Sequence, residues 1–249
     1  MKEILKLYDQ QVRKNPISTP DLSIVDDNFV LRVEGYFNFV WSWNFPTNKA
    51  ESLVAHQAGY FRNKGEELMW RVFEHDKPSD IELHLKQQGF EPCPQSTLMV
   101  LPLDTYSNKN TVHEVKKVNS EQTLRGFLNV AAQAFECDSD ESEFNYFFKV
   151  LDDPQFALYC TYEEGVAVAA GRMEIPKGSS FGLMFGGSVL KEHRGKGYYQ
   201  ALITARIKHA KSQGLKYLTT EARETSRPIL EKLGFISLVK ETTWVLPKA

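Results

Sequence analysis

Cysteine is scarce: Cys93, Cys137 and Cys160 are the only three in 249 residues, and they lie far apart. That excludes a disulfide framework and the paired spacing of a structural zinc site, leaving reduced thiols of the kind found in cytosolic proteins. Neither sign of charge is in excess. Lys and Arg number 30 against 32 Asp and Glu, a formal net charge of -2, so no global field favours nucleic acid or an acidic membrane as a partner. No apolar run is long enough to span a bilayer, and the opening MKEILKLYDQQVRKNP is charged throughout and has no apolar core of a signal peptide. The expectation is a soluble cytoplasmic protein of two modest domains.

What is present is a regular alternation of helical and strand patterns. Ile4, Leu5, Leu7 and Tyr8 among polar residues predict a short helix ended by Asn15-Pro16. Residues 29–43, rich in β-branched and aromatic types, predict one or two strands. Thr47 to Asn63 has helical spacing with Gly65 past its end, LMWRVFEHD reads as a strand, SDIELHLKQQGF as a helix stopped by Gly89, and TLMVLPL as a strand. After the polar Ser107-Asn108-Lys109-Asn110 the pattern restarts: strand VHEVKKV, two helices, a hairpin turning at Glu164-Gly165, strand FGLMFGGSVL, helix YYQALITARIKHAKSQG, strand KYLTTEA, helix SRPILEKLG and strand FISLVKETTWVLP. The predicted fold is α/β with mixed sheets, in domains 1–108 and 109–249.

The two halves end alike. In LHLKQQGFEPCPQSTLMVLP and PILEKLGFISLVKETTWVLP both Gly-Phe pairs lie the same distance before a Leu-Pro, and Leu85 matches Leu230. Thr97, Met99 and Leu101 fall opposite Thr242, Trp244 and Leu246, which points to a duplication. The aromatic alternation Tyr36, Phe37, Phe39, Trp41, Trp43 and Phe45 reads first as sheet core and packing between domains.

The stretch EHRGKGYYQALI, residues 192–203, sets two glycines and two fixed cations before a helical pattern, an arrangement suited to holding a phosphate. A Walker loop is excluded, because Lys196 is followed by Gly197 and not by a hydroxyl residue. A dinucleotide fingerprint is excluded too, since Gln200 stands where its third glycine belongs. With the preceding strand GGSVL, the turn resembles the acyl-CoA motif of the GNAT superfamily of N-acetyltransferases, Arg/Gln-x-x-Gly-x-Gly/Ala. Arg194 opens that motif, Gly197 is its fourth position, and Tyr199 takes the small sixth position. The element order from Val112 to Leu246 and the Leu-Gly-Phe at 233–235 are similar to the same family. The first half resembles the degenerate domain of its tandem members, with no glycine turn of its own.

The resemblance implies roles. Acetyl-CoA is the expected co-substrate: backbone groups of Ser188, Val189 and Leu190 would pair with the pantetheine amides, and Arg194, Gly195, Lys196, Gly197, Tyr198 and Tyr199 would offer N–H donors to the pyrophosphate. The expected acceptor is an amine of a small molecule or peptide, with no nucleic acid or membrane as partner. The family's usual proton donor, a Tyr four residues before the Gly-Phe glycine, is replaced by Leu230. The third strand carries no carboxylate, so Glu174 and Glu221 are the candidate bases, with His193 a weaker one in the turn. The oxyanion donor would be a strand amide around Val189. The alternatives are an acyl-CoA-binding or sensing protein without catalysis, and a basic-turn nucleic-acid binder, against which the missing Lys/Arg run argues.

Overall fold

The computed structural model of the protein describes residues 1–27, 29–106 and 111–248. The boundary read at Ser107-Asn108-Lys109-Asn110 lies outside the described residues. By contacts the chain forms two compact units, Met1–Met99 with the chain from Glu221 on, and Val100–Thr220. The halves read from the sequence concern descent, whereas these units concern packing, and the last thirty or so residues pack with the first unit.

In the first unit, helix α1 (Lys2–Tyr8) is followed by strands β1 (Leu22–Asp26), β2 (Val30–Gly35) and β3 (Phe39–Trp43), which form an antiparallel meander. Strand β4 (Leu68–Phe73) joins β3 in parallel, which requires the crossover helix α2 (Ala50–Lys64) between them. That helix ends at Gly65 in the left-handed region, as its position predicts. The final strand β12 (Ile236–Leu246) pairs antiparallel with β4, Glu241 opposite Phe73 and Leu246 opposite Leu68. Strand β5 (Glu91–Pro92) also joins β12. Trp70, Phe61, Leu68, Ile81, Leu85 and Trp244 form the buried core, with Trp43 and Phe45 packed on Trp70. Of the aromatic alternation, Trp43 and Phe45 are used in this core, whereas Tyr36 is exposed. Strand β1 was not legible in the sequence: its burial alternates weakly, with only Leu22 buried.

The two Gly-Phe signatures have the same local geometry. Helix α3 (Ile81–Gln87) and helix α7 (Arg227–Lys232) are followed by Gly89 at φ 75 and Gly234 at φ 97. Phe90 N–H bonds Leu85 O at 3.1 Å, and Phe235 N–H bonds Leu230 O at 3.0 Å. Both leucines are fully buried. A left-handed glycine lets the next amide reach back to an orphan carbonyl of the helix, which ends both helices in the same way.

In the second unit, β7 (Val115–Lys117), β8 (Phe156–Glu163), β9 (Val166–Glu174) and β10 (Phe181–Val189) are antiparallel neighbours in that order. Strand β11 (Tyr217–Ala222) runs parallel to β10, its last two residues belonging to the first unit. Between β7 and β8 stand α4 (Glu121–Phe135), started by a Ser120–Thr123 capping box, and α5 (Glu141–Lys149). Helix α6 (Tyr198–Ser212) buries Ala201, Leu202, Ile203, Ile207 and Ala210, and Tyr198 and Leu202 pack on Ala157, Tyr159, Val168 and Ala169. Strand β6 (Ser96–Pro102) carries the chain from the first unit into the second. Among the described residues no helix is long and apolar enough to cross a membrane.

Candidate functional site

The site begins with an interruption in the second unit. The ladder between β10 and β11 pairs Phe181–Leu183 with Tyr217–Thr219 and then stops, while β10 continues to Val189. A side-chain bond from Thr220 Oγ1 to Met184 O, 3.1 Å, closes the paired stretch. On its other edge β10 remains paired with β9, but the register shifts between Phe185 and Ser188, so that Gly186 and Gly187 together oppose Gly171. Such a two-for-one bulge bends a strand and re-aims its amides. Gly186 takes φ 59, a conformation that favours glycine.

Leu190 N–H bonds Val168 O at 3.0 Å, toward β9. Because backbone groups alternate sides along a strand, Ser188 also faces β9, and Gly187 and Val189 face the edge where β11 has parted. Of the three strand residues read from the sequence, Val189 alone turns its backbone to that edge. Ser188 is buried with Oγ 3.4 Å from Ala170 O, and Leu190 serves the β9 side. Gly187 is the edge residue the sequence reading missed, although a glycine pair inside a strand pattern signals a bulge.

Beyond the strand, Lys191–His193 form a single 3-10 turn, Arg194 is extended, and Gly195 and Gly197 adopt φ 78 and φ 94 before α6 starts. A Cβ on Gly195 would meet no atom within 4 Å, and one on Gly197 only the His113 ring at 3.7 Å. The glycines are therefore required by backbone conformation and leave open space in front of the helix. No side chain caps α6, whose first bond runs from Ala201 N–H to Gly197 O, leaving the first-turn amides free for an anion. These residues fit a pyrophosphate. Arg194 turns back on the strand, Nε to Val189 O at 3.2 Å, and Lys196 Nζ lies 3.9 Å from Glu163 Oε2.

A group of side chains braces the turn. The Nε2–H of His113 donates to Lys196 O at 2.7 Å, and its ring stacks on Tyr198 with centroids 3.9 Å apart. Tyr198, buried, hydrogen-bonds Glu163; that bond, with Lys196 and His193 close by, holds the Glu163 carboxyl below its usual range. His193 Nδ1 stands 2.7 Å from Glu163 Oε2, so this candidate base is committed to the brace. His113, 83 residues before Lys196, carried no signal in the sequence.

Tyr199 fills the motif's small position by lying over the bulge. A Cβ on Gly187 would stand 2.9 Å from Tyr199 Cε2 and 3.5 Å from Arg206 Nη2; one on Gly171 would stand 3.1 Å from Arg206 Nη1. The guanidinium of Arg206 is buried against both glycines, with Nε to Leu202 O at 3.2 Å and Nη1 to Arg172 O at 3.3 Å. Among the described residues no carboxylate pairs with it. Burial lowers its pKa, and Tyr199 and Tyr159 act in the opposite sense. The Tyr199 phenol is pushed up by burial and drawn down by Arg206.

The two candidate bases are both engaged by arginines. Glu174, at the end of β9, accepts from Arg172 Nε at 2.7 Å. Glu221, in the first unit, pairs with Arg71 of β4, whose Nε also lies 3.5 Å from Glu241. In the same unit, Glu241 lines a cavity of about 300 Å³ with Val72, Phe73, Glu74, Asp76 and Lys240. Leu230, at the donor position that the resemblance implies, is fully buried in that unit and has no proton to give.

Residues 124–235 match the model of the Acetyltransferase (GNAT) family. No curated protein matches the chain in sequence. Similar solved structures include a GCN5-related N-acetyltransferase from Kribbella flavida (13% identity, TM-score 0.71, covering 99% of this chain and 95% of that one). Another is a functionally unknown conserved protein from Staphylococcus epidermidis (12%, TM-score 0.66, 97% and 98%). A third is a tandem GNAT protein from the clavulanic acid biosynthesis pathway (13%, TM-score 0.62, 94% and 85%). The chain carries the mixed α/β fold of GNAT acetyltransferases over nearly its whole length, and residues 124–235 are similar to that family in sequence.

Proposed function

We propose that the protein is a cytoplasmic N-acetyltransferase that moves the acetyl group of acetyl-CoA onto an amine of a small molecule or peptide by direct attack. The observation that carries this reading is the parting of β10 from β11 immediately before a glycine turn and an uncapped helix start. A strand edge at Gly187 and Val189 supplies donors and acceptors for an amide-bearing arm, and the turn from Arg194 to Tyr199 supplies amides for its pyrophosphate. Ser188 and Leu190 hold the strand on β9. Lys196 adds charge near the turn.

A primary amine, with pKa about 10.4, must lose a proton before it attacks. Glu174 and Glu221 are the carboxylates proposed to assist, directly or through water, each now restrained by its arginine. Positioning contributes more than either: a general base adds about 10²–10⁴-fold, so Glu→Gln at one site weakens turnover without abolishing it. We further propose that 1–108 and 109–249 are duplicated halves, a reading supported by the matching Gly89-Phe90 and Gly234-Phe235 helix ends.

The test is thermal stabilisation by acetyl-CoA, followed by a panel of aminoglycosides, amino acids, peptide N-termini and simple amines with thiol detection. Gly197→Val, which strains a backbone at φ 94 and fills the cradle, is expected to remove the stabilisation. Equal stabilisation of both proteins would sink the site. Tight binding without turnover on the whole panel would make the protein an acyl-CoA binder or sensor.

A further inference from the structure

A buried guanidinium without a carboxylate is costly, and proteins keep one where it has work to do. Arg206 is 1% exposed, its Nη1 and Nη2 lie against Gly187 of the bulge and Gly171 opposite it, and the tyrosine beside it replaces the small residue its motif calls for. Had packing alone been served, an apolar side chain at 206 and a small one at 199 would fill this space without burying a charge. The two residues meet at one point of β10, Gly187, which faces the edge left open by β11.

Distance along the strand says what reaches that point. From the glycine turn, a pantetheine arm lying on β10 spans about four or five residues of strand, roughly 15 Å at 3.4 Å per residue. Measured back from Leu190, that puts its sulfur end beside Phe185 and Gly186, next to Gly187. Resting on the acyl-transfer reading above, we propose that Tyr199 is the proton donor to the departing sulfur, and that Arg206 is the positioning residue that holds its phenol over Gly187 and stabilises the phenolate left behind. The amine nitrogen bonds the acyl carbon, the carbon–sulfur bond breaks with its electron pair going to sulfur, and the Tyr199 Oη proton passes to sulfur to give the thiol. The surplus proton on nitrogen leaves to water, and water returns one to the phenolate.

The groups facing Tyr199 agree with that role. Arg206 lies behind it on α6, and Tyr159 of β8 acts on the same guanidinium while hydrogen-bonding His209 Nδ1. Burial keeps the Tyr199 phenol protonated in neutral solution, as a donor must be. Arg206 opposes the shift, so the proton remains transferable.

The experiment titrates CoA and desulfo-CoA against wild type, Tyr199→Phe and Arg206→Gln at pH about 8.5, where roughly half of the free thiol is ionised. Tyr199→Phe keeps the ring over Gly187 and removes only the hydroxyl. A hydrogen bond to an ionised sulfur predicts that wild type prefers CoA over desulfo-CoA by about tenfold or more, and that both variants lose the preference while binding desulfo-CoA as before. Equal preference in wild type and Tyr199→Phe overturns the proposal, and an Arg206→Gln variant that discriminates like wild type overturns the pairing. Failure of wild type to bind either compound removes the acyl-CoA reading itself, and this inference with it.

Discussion

Arg71→Met is the sharpest test of the polar cluster that holds Glu221. Arg71 rises from β4 into the first unit with a side chain 8% exposed, between Glu221 at 18% and Glu241 at 4%. Burial alone would lower its pKa, but Glu221, Tyr8 and Glu241 more than reverse that, so the guanidinium is held strongly charged. Ser96 Oγ and Thr243 Oγ1 also donate to Glu241, at 2.6 and 2.7 Å. Removing the cation strands two carboxylates in a site that water reaches poorly. Breaking a buried pair from one side costs about 3–5 kcal/mol, a large part of the roughly 5–15 kcal/mol that holds a domain together.

The assay is urea unfolding followed by tryptophan fluorescence. All four tryptophans, Trp41, Trp43, Trp70 and Trp244, belong to the first unit, so the signal reports the unit that carries the cluster. With a slope near 3 kcal/mol per M, the midpoint should fall by roughly 1–1.7 M. Adding Glu221→Gln to Arg71→Met should recover part of the loss, because one stranded charge is gone while Glu241 keeps its two hydroxyl donors. The pH dependence has a definite sign. A buried carboxylate without its cation binds a proton more readily folded than unfolded, so the folded variant carries more protons and its stability falls as pH rises. The deficit should be smaller at pH 5 than at pH 8. A midpoint shift worth less than about 0.5 kcal/mol, the size of an exposed pair, would refute the cluster as a structural element.

Gly187→Ala should cost about 1–3 kcal/mol by overpacking against Tyr199, and little in a Tyr199→Ala background; equal costs in both would deny the contact. His113→Ala should weaken acetyl-CoA about fivefold by calorimetry, having lost the bond to Lys196 O and the stack on Tyr198, and an unchanged affinity would remove it from the brace. Burial raises the Glu34 carboxyl, yet bonds from Arg32, Tyr60 and Lys64 outweigh it and leave it below its usual range. Its stabilisation is present above the unfolded value of about 4.3 and is lost as pH falls through the folded one, so Glu34→Gln should flatten the acid decline in Tm. An unaltered acid slope would count against that network.

Helices, strands and the glycine turn were legible because each depends on local chemistry. Periodicity marks α2, α4 and α6, Gly65 and Gly89 mark helix ends, and two glycines with cations before a helix mark an anion site. What escaped depends on contacts distant in sequence. Strand β1 has a weak pattern of its own and exists through its pairing with β2. His113 reaches the turn from across the unit, and the edge role of Gly187 follows from where β11 stops pairing. Glu174 and Glu221 were legible as carboxylates at strand ends, but their arginines were not: Arg172 precedes Glu174 by two residues, and Arg71 precedes Glu221 by 150.

That division follows from what each part of the site is made of. The groups that fit acyl-CoA are backbone amides and carbonyls, and their arrangement needs only glycines, a bulge and a helix start, which a one-dimensional pattern can encode. Such a cradle tolerates wide change in side chains, and the fold itself does too: the chain shares 13% of its residues with a GCN5-related N-acetyltransferase structure at a TM-score of 0.71. Proton transfer needs particular side chains at particular points, and there the chain departs most from its motif, with Leu230 buried where a donor is usual and Tyr199 where a small residue is usual. The two departures are complementary in chemistry. On the proposal above, the Tyr199 phenol supplies the proton that Leu230 cannot, and the glycine opposite Tyr199 gives its ring the room it needs.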